Sequence, residues 1–175
     1  MKSVAVPDGF DVEPLARAHA REDFRCGQEA VDRHLRERAL QSQAKRLSST
    51  RVLLHSATGV MAGYYTLAMG QVDFGELPPA LVKKLPRREL PVAVLAWLGV
   101  DLRFQGQGLG ERLLAMALRD CWDASRTFPF IAIVLDCLDE DTKRFYRRWD
   151  FREIPAHPLR MFLSAAELEA MVRGQ

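Results

Sequence analysis

The chain has 175 residues, 48% of them hydrophobic, and 25 Lys and Arg stand against 23 Asp and Glu. That length predicts one domain over residues 1–175 with no room for a separate substrate domain, and the apolar fraction excludes a disordered or collagen-like chain. No run approaches the roughly 18 apolar residues a membrane span requires, and residues 1–7 lack a secretory core, so no membrane association and a cytoplasmic location are expected.

Residues 8–17 read as a polar lead-in. Residues 28–44 then set Ala30, Val31, Leu35, Ala39 and Leu40 at helical spacing among charges, predicting an amphipathic helix that ends near Ser48, Ser49 and Thr50. Residues 51–57 and 61–69, separated by Thr58 and Gly59, predict a hairpin of two strands. Pro78, Pro79, Pro86 and Pro91 bracket a connection holding one short helix. Residues 91–100 are almost wholly apolar and short, the pattern of a central strand covered on both faces. They lead into Gly106, Gly108 and Gly110, after which Leu109, Leu113, Leu114, Ala117, Leu118, Cys121 and Trp122 step by three and four, so the unit is strand, glycine loop, helix. Residues 130–135 predict a second buried strand. Asp139, Glu140 and Asp141 open a helix that runs to about Arg148, with acids where they complement its dipole. Residues 151–154 and 159–164 predict two closing strands, and residues 165–172 a last helix.

Cys26, Cys121 and Cys137 are odd in number and far apart, and His19, His34, His55 and His157 are scattered, so neither a disulfide framework nor a metal site is expected. Basic residues cluster in three places: Arg33, Arg36, Arg38, Lys45, Arg46 and Arg51; Lys83, Lys84, Arg87 and Arg88; and Lys143, Arg144, Arg147, Arg148 and Arg152. Three solvated faces and a split surface for a polyanion both account for them.

A strand that delivers glycines to a helix start suits phosphate. The backbone can approach closely, N–H groups point outward, and the helix end adds the equivalent of roughly half a positive charge. The spacing is neither G-x-x-x-x-G-K-[ST] nor G-x-G-x-x-G, which disfavours a P-loop or dinucleotide-binding enzyme. What stands instead is Arg103, Gly106 and Gly108 in the pattern [Q/R]-x-x-G-x-[G/A], with Gly110 following.

That pattern resembles the acetyl-CoA signature of the GNAT acetyltransferases. Phe24-Arg25-Cys26-Gly27 with the helix through Leu35, then Gly63-Tyr64-Tyr65-Thr66-Leu67, residues 91–95, and Asp139-Glu140 leading to Arg144-Phe145-Tyr146 resemble, in order, the TacT-type toxins of toxin-antitoxin modules. The likeness runs from Phe24 to about Leu163. Trp97 stands where that branch usually has Arg, Asp136 where it has His, and Asp150 where it has Gly.

The resemblance implies an α/β (α+β) fold: a mixed sheet of six to seven strands splayed into a V, with flanking helices. Acetyl-CoA would lie in the V. Its pantetheine would pair with the backbone of Leu98 and Val100, and its pyrophosphate would rest at Arg103, Gln105, Gly106, Gln107, Gly108, Leu109 and Gly110. Tyr146 would be the general acid that protonates the leaving thiolate, and the Val100 N–H the oxyanion donor. The implied reaction is acetylation of the α-amino group of aminoacyl-tRNA, blocking translation, with Lys83, Lys84, Arg87, Arg88, Arg46 and Arg147 as RNA contacts. A homodimer and a ribbon-helix-helix antitoxin are the implied protein partners. An acetyltransferase of a small amine or protein N-terminus, and a non-catalytic CoA-binding module, are the alternatives. Tyr64 and Tyr65 are expected to pack, and Cys137 to be inert.

Overall fold

The computed structural model describes residues 5–174. Seven strands form one mixed sheet in the order β1-β2-β3-β4-β5-β7-β6. They are β1 (Phe10–Pro14), β2 (Ser49–His55), β3 (Met61–Asp73), β4 (Glu89–Val100), β5 (Ala132–Asp136), β6 (Arg152–Ile154) and β7 (His157–Ser164). The helices are α1 (Glu29–Arg33), α2 (Ala39–Ala44), α3 (Pro79–Val82), α4 (Leu109–Ser125), α5 (Glu140–Arg147) and α6 (Ala165–Arg173). β4 and β5 run parallel, while β2 pairs antiparallel with β1 and β3, and β7 with β5 and β6. The mixed sheet expected from the resemblance is therefore present.

Two expectations are corrected. The lead-in forms β1, whose alternation Phe10-Asp11-Val12-Glu13 turns its acids outward while the strand pairs with β2 along its whole length. It lies at the sheet's edge, where Pro14 is tolerated. The helix expected over residues 28–44 is interrupted by a π turn at His34–Arg38 and stops at Ala44, because Ser49 and Thr50 belong to β2. The wider turn still buries Val31, Leu35 and Ala39.

Two compact units divide the chain. Of the described residues, 5–68 with Leu95–Arg119 form one. Its core joins Leu15, Phe24, Val31, Leu35, Ala39, Val52, Met61 and Tyr64. The other comprises Met69–Val94 and residues 120–174, with a core of Val72, Leu77, Val82, Leu90, Val92, Ala132, Val134, Ile154 and Phe162. Burial of these side chains is what holds each unit, at about 25 cal/mol for every Å2 of apolar surface removed from water. Among the described residues, no helix is long and apolar enough to cross a membrane.

Candidate active site

In the first unit, β4 hands the chain to the glycine loop through a corner built on Asp101. Its carboxylate is buried and accepts the backbone N–H groups of Arg25 (3.0 Å) and Arg103 (2.9 Å). It also takes a two-pronged grip from the Arg103 guanidinium, Nε to Oδ1 at 2.8 Å and Nη2 to Oδ2 at 2.9 Å. Burial acts to raise the Asp101 pKa, but the hydrogen bonds from Arg103 and Arg25 outweigh it and hold the carboxyl below its usual range. The Arg103 side chain, expected at the cofactor, is thus committed to fixing the corner.

The Gln105 side chain adds a second tie, its Nε2 donating to the carbonyls of Cys26 and Val100, both at 2.9 Å. Leu102 N–H donates to the Arg25 carbonyl at 2.8 Å. The segment Phe24-Arg25-Cys26-Gly27 is therefore the buttress of the loop. Sequence reasoning placed it in the motif and missed this role.

Gly106 and Gly108 sit at φ +79° and +74°, a conformation that favours glycine. Nothing lies within 4 Å of where a Cβ would stand on either, and residues 105–108 are exposed. The loop therefore presents open backbone ahead of α4, whose first residue, Leu109, is buried while Gly110 is half-buried. That is a cradle of the right chemistry for a pyrophosphate. Leu98 and Val100 are half-buried near the end of β4. The register of β4 with β5 covers Val92↔Ala132 to Val94↔Val134, whereas β4 continues to Val100.

Trp97 lies flat on His34, ring centroids 4.7 Å apart and planes 16° from parallel. His34 starts the π turn and is buried, and among the described residues its Nε2 has no hydrogen-bond partner. Burial, reinforced by Arg38, lowers its pKa to about 4. An isolated His on a helix carried no signal of this pairing. Tyr64 is fully buried and donates its hydroxyl to the Val31 carbonyl at 2.7 Å, and Tyr65 is also buried. Burial is the main cause that pushes the Cys26 thiol up to about 12.

In the second unit, Asp139 caps α5 by accepting from the N–H (2.8 Å) and hydroxyl (2.7 Å) of Thr142. Tyr146 is 6% exposed on this helix, its ring edge-on to Phe145 and Phe151 at 5.1 and 5.6 Å. Burial, and secondarily Cys137, raises the phenol pKa, so it keeps its proton. Burial likewise lifts the Cys137 thiol to about 11 and leaves it protonated.

Lys143, 4% exposed, pairs with Glu153 (3.0 Å) and Glu140 (3.5 Å), and Arg147 also pairs with Glu153. Arg144 pairs with Asp141 and Arg152 with Glu167. This third basic segment is therefore largely neutralised from within. Lys83, Lys84, Arg87 and Arg88 are exposed, and among the described residues no ion pair engages them. Arg87 lies over the Phe74 ring at 5.9 Å. Arg46 is exposed in the turn after α2 with φ +59°.

Asp150 adopts φ +62°, which explains a glycine at the corresponding place in the family pattern, and Asp is among the residues that tolerate it. Asp136 accepts from Arg160 Nε and Nη2 at 2.8 and 3.2 Å. No group of His, Cys, Asp and Glu suited to a metal occurs among the described residues.

The family model for the acetyltransferase (GNAT) family matches residues 16–151. A tRNA-acetylating toxin of Mycobacterium tuberculosis is 31% identical over 149 residues, spanning 85% of this chain and 88% of that protein. The solved structure of a tyrosine-to-phenylalanine variant of KacT is similar at a TM-score of 0.86, with 28% identity over 93% of this chain and 99% of that one. AtaTR bound with AcCoA is similar at 0.82, with 25% identity over 95% and 99%.

Proposed function

The chain belongs to the acetyltransferase (GNAT) family, and on that premise we propose that it moves an acetyl group from acetyl-CoA to the α-amino group of aminoacyl-tRNA, arresting translation as a toxin. The observation that carries this reading is the glycine cradle at Gly106 and Gly108, set in a chain 31% identical to a tRNA-acetylating toxin. The family model draws on segments of both compact units, which supports one acetyltransferase domain over residues 1–175.

Acetyl-CoA supplies an activated acetyl thioester. In this reading the N–H groups of Gln105, Gly106, Gln107, Gly108, Leu109 and Gly110 receive its pyrophosphate, with Arg103 acting indirectly by holding the corner. The backbone of Leu98 and Val100 pairs with the pantetheine, and the Val100 N–H donates to the carbonyl oxygen as charge develops there.

The substrate amine attacks the carbonyl carbon, the C–N bond forms, and the C–S bond breaks. Tyr146 gives its proton to the departing sulfur, and the nitrogen, which carries one proton too many once the C–N bond has formed, loses it to solvent, from which the phenolate is reprotonated. A phenol whose proton is held firmly by burial is suited to be an acid rather than a base at neutral pH.

Lys83, Lys84, Arg87, Arg88 and Arg46 offer unpaired cations for RNA phosphates, and Arg147 contributes only what Glu153 leaves. A cytoplasmic location follows from that substrate. A homodimer and a ribbon-helix-helix antitoxin complete the proposal, on the likeness to TacT-type toxins.

The test is incubation with labelled acetyl-CoA and bulk charged tRNA. Label is expected on the aminoacyl fraction and absent from deacylated tRNA; an active enzyme that labels only free amines or protein N-termini would overturn the substrate assignment.

A further inference from the structure

A groove of about 830 Å3 in the first unit lies apart from the glycine loop in sequence and is lined by Arg17, Arg21, Arg36, Glu37, Gln41 and Gln43 among others. Its volume falls in the range of sites for small ligands, roughly 300 to 1,000 Å3. Arg17 and Arg21 come from the segment after β1, whereas Arg36 comes from the π turn, so two separate stretches of chain bring three arginines to the lining of one groove.

The walls are held in place. Arg36 donates to Glu29 at 3.1 Å and to the Phe24 carbonyl at 3.4 Å. Gln43 bridges the Leu15 carbonyl (2.8 Å) and the Thr50 N–H (3.1 Å), tying α2 to the start of β2. Against that frame, the Arg21 Nε is buried and has no acceptor among the described residues. A guanidinium cannot discharge by losing its proton, and a buried donor left without a partner is unfavourable. Among the described residues, no ion pair engages Arg17 or Arg21, and Glu37 is the lone carboxylate of the lining. With Arg36 paired to Glu29, the groove keeps the charges of Arg17 and Arg21 against that of Glu37, and the Arg21 Nε is a donor without an acceptor among the described residues.

The geometry points to a second anion site here, in which Arg17, Arg21 and Arg36 bind the oxygens of a phosphate group. A single carboxylate is satisfied by one forked guanidinium, whereas a phosphate or pyrophosphate has oxygens enough for three. Free nucleotides and polyphosphates carry that group, and so does an RNA backbone. None of the lining residues belongs to the glycine loop or to α5.

Titration of the full chain with inorganic pyrophosphate, in saturating CoA to fill the glycine loop, reads the site by calorimetry. Saturable binding is expected. Arg21→Lys, which keeps the charge and loses the fork, is expected to weaken it at least tenfold, and the exposed Arg17→Glu severalfold. Arg17→Glu carries the test if the Arg21 variant does not fold.

Competition by deacylated tRNA identifies RNA as the source of the phosphate; displacement by ATP but not by tRNA identifies a free nucleotide. No pyrophosphate binding, or binding unchanged in the folded variants, overturns the site. Neither result bears on whether charged tRNA is acetylated, so the two proposals fail separately.

Discussion

Arg103 closes on Asp101 across two residues of chain with two parallel hydrogen bonds, at 2.8 and 2.9 Å, and this pair sets the direction in which the glycine loop leaves β4. The Asp101 carboxylate is buried and has four donors on it, so removing it strands the N–H groups of Arg25 and Arg103 together with one face of a guanidinium. Asp101→Ala is expected to cost about 2 to 3 kcal/mol of stability and to raise the KM for acetyl-CoA more than it lowers kcat. The pH dependence has a definite sign. Because the folded carboxyl titrates below its ordinary 3.8, its contribution is complete above that value and is lost as pH falls through the folded pKa. Thermal melts of wild type and variant should converge in strong acid and separate towards neutrality.

Tyr146→Phe tests the proton donor. The ring remains against Phe145 and Phe151, so the melting temperature should stay close to that of wild type, while kcat falls by about 100-fold or more and the KM for acetyl-CoA changes little. Growth arrest on expression should disappear with the same substitution. Steady-state kinetics with charged tRNA decide it, and a variant of undiminished kcat would remove Tyr146 from the chemistry.

Elements with a strong period were legible in the sequence: the apolar run of β4, the stepping of α4 and the acid-led start of α5 all fall within a few residues of expectation. What escaped depends on interactions that carry no period. β1 is an edge strand of half-exposed residues whose identity comes from pairing with β2. The π turn at His34–Arg38 preserves the apolar stripe and so is silent in it. At the site, glycine spacing revealed the loop, but the Arg103 motif position gave no sign that its side chain serves Asp101. Charge counting likewise could not separate Lys83 and Lys84, which stand free, from Lys143, which is buried between two glutamates.

That separation makes a prediction for RNA. Each Lys or Arg that neutralises a phosphate contributes about one unit to the slope of log affinity against log salt. Replacing Lys83, Lys84, Arg87 and Arg88 together by Gln is expected to reduce the slope for charged tRNA by about 3 to 4 and to weaken binding across tRNA species alike. Arg147→Gln should change it by less than one, because Glu153 already holds that cation. Filter binding across a salt series distinguishes the two; equal slopes for the quadruple variant and wild type would remove this cluster from the interface.

The stack of His34 on Trp97 predicts a specific loss of stability in mild acid. Burial and the Arg38 cation lower the imidazole pKa to about 4, against 6.5 for an ordinary His, so between those values the unfolded chain binds a proton that the folded chain refuses. Stability contributed by the neutral ring is therefore complete above pH 6.5 and drains away as pH falls towards 4, at up to about 1.4 kcal/mol per pH unit. His34→Phe keeps a flat ring on Trp97 and removes both the titration and the partnerless buried Nε2. It is expected to be as stable as wild type or more so at pH 7, since replacing an unsatisfied buried polar atom by carbon of similar shape is neutral to favourable. The difference should widen in the variant's favour from pH 6.5 down to 4. Denaturant unfolding of both proteins at half-unit pH steps measures it, and parallel curves through that window would show that the His34 ring titrates as it does in the unfolded chain.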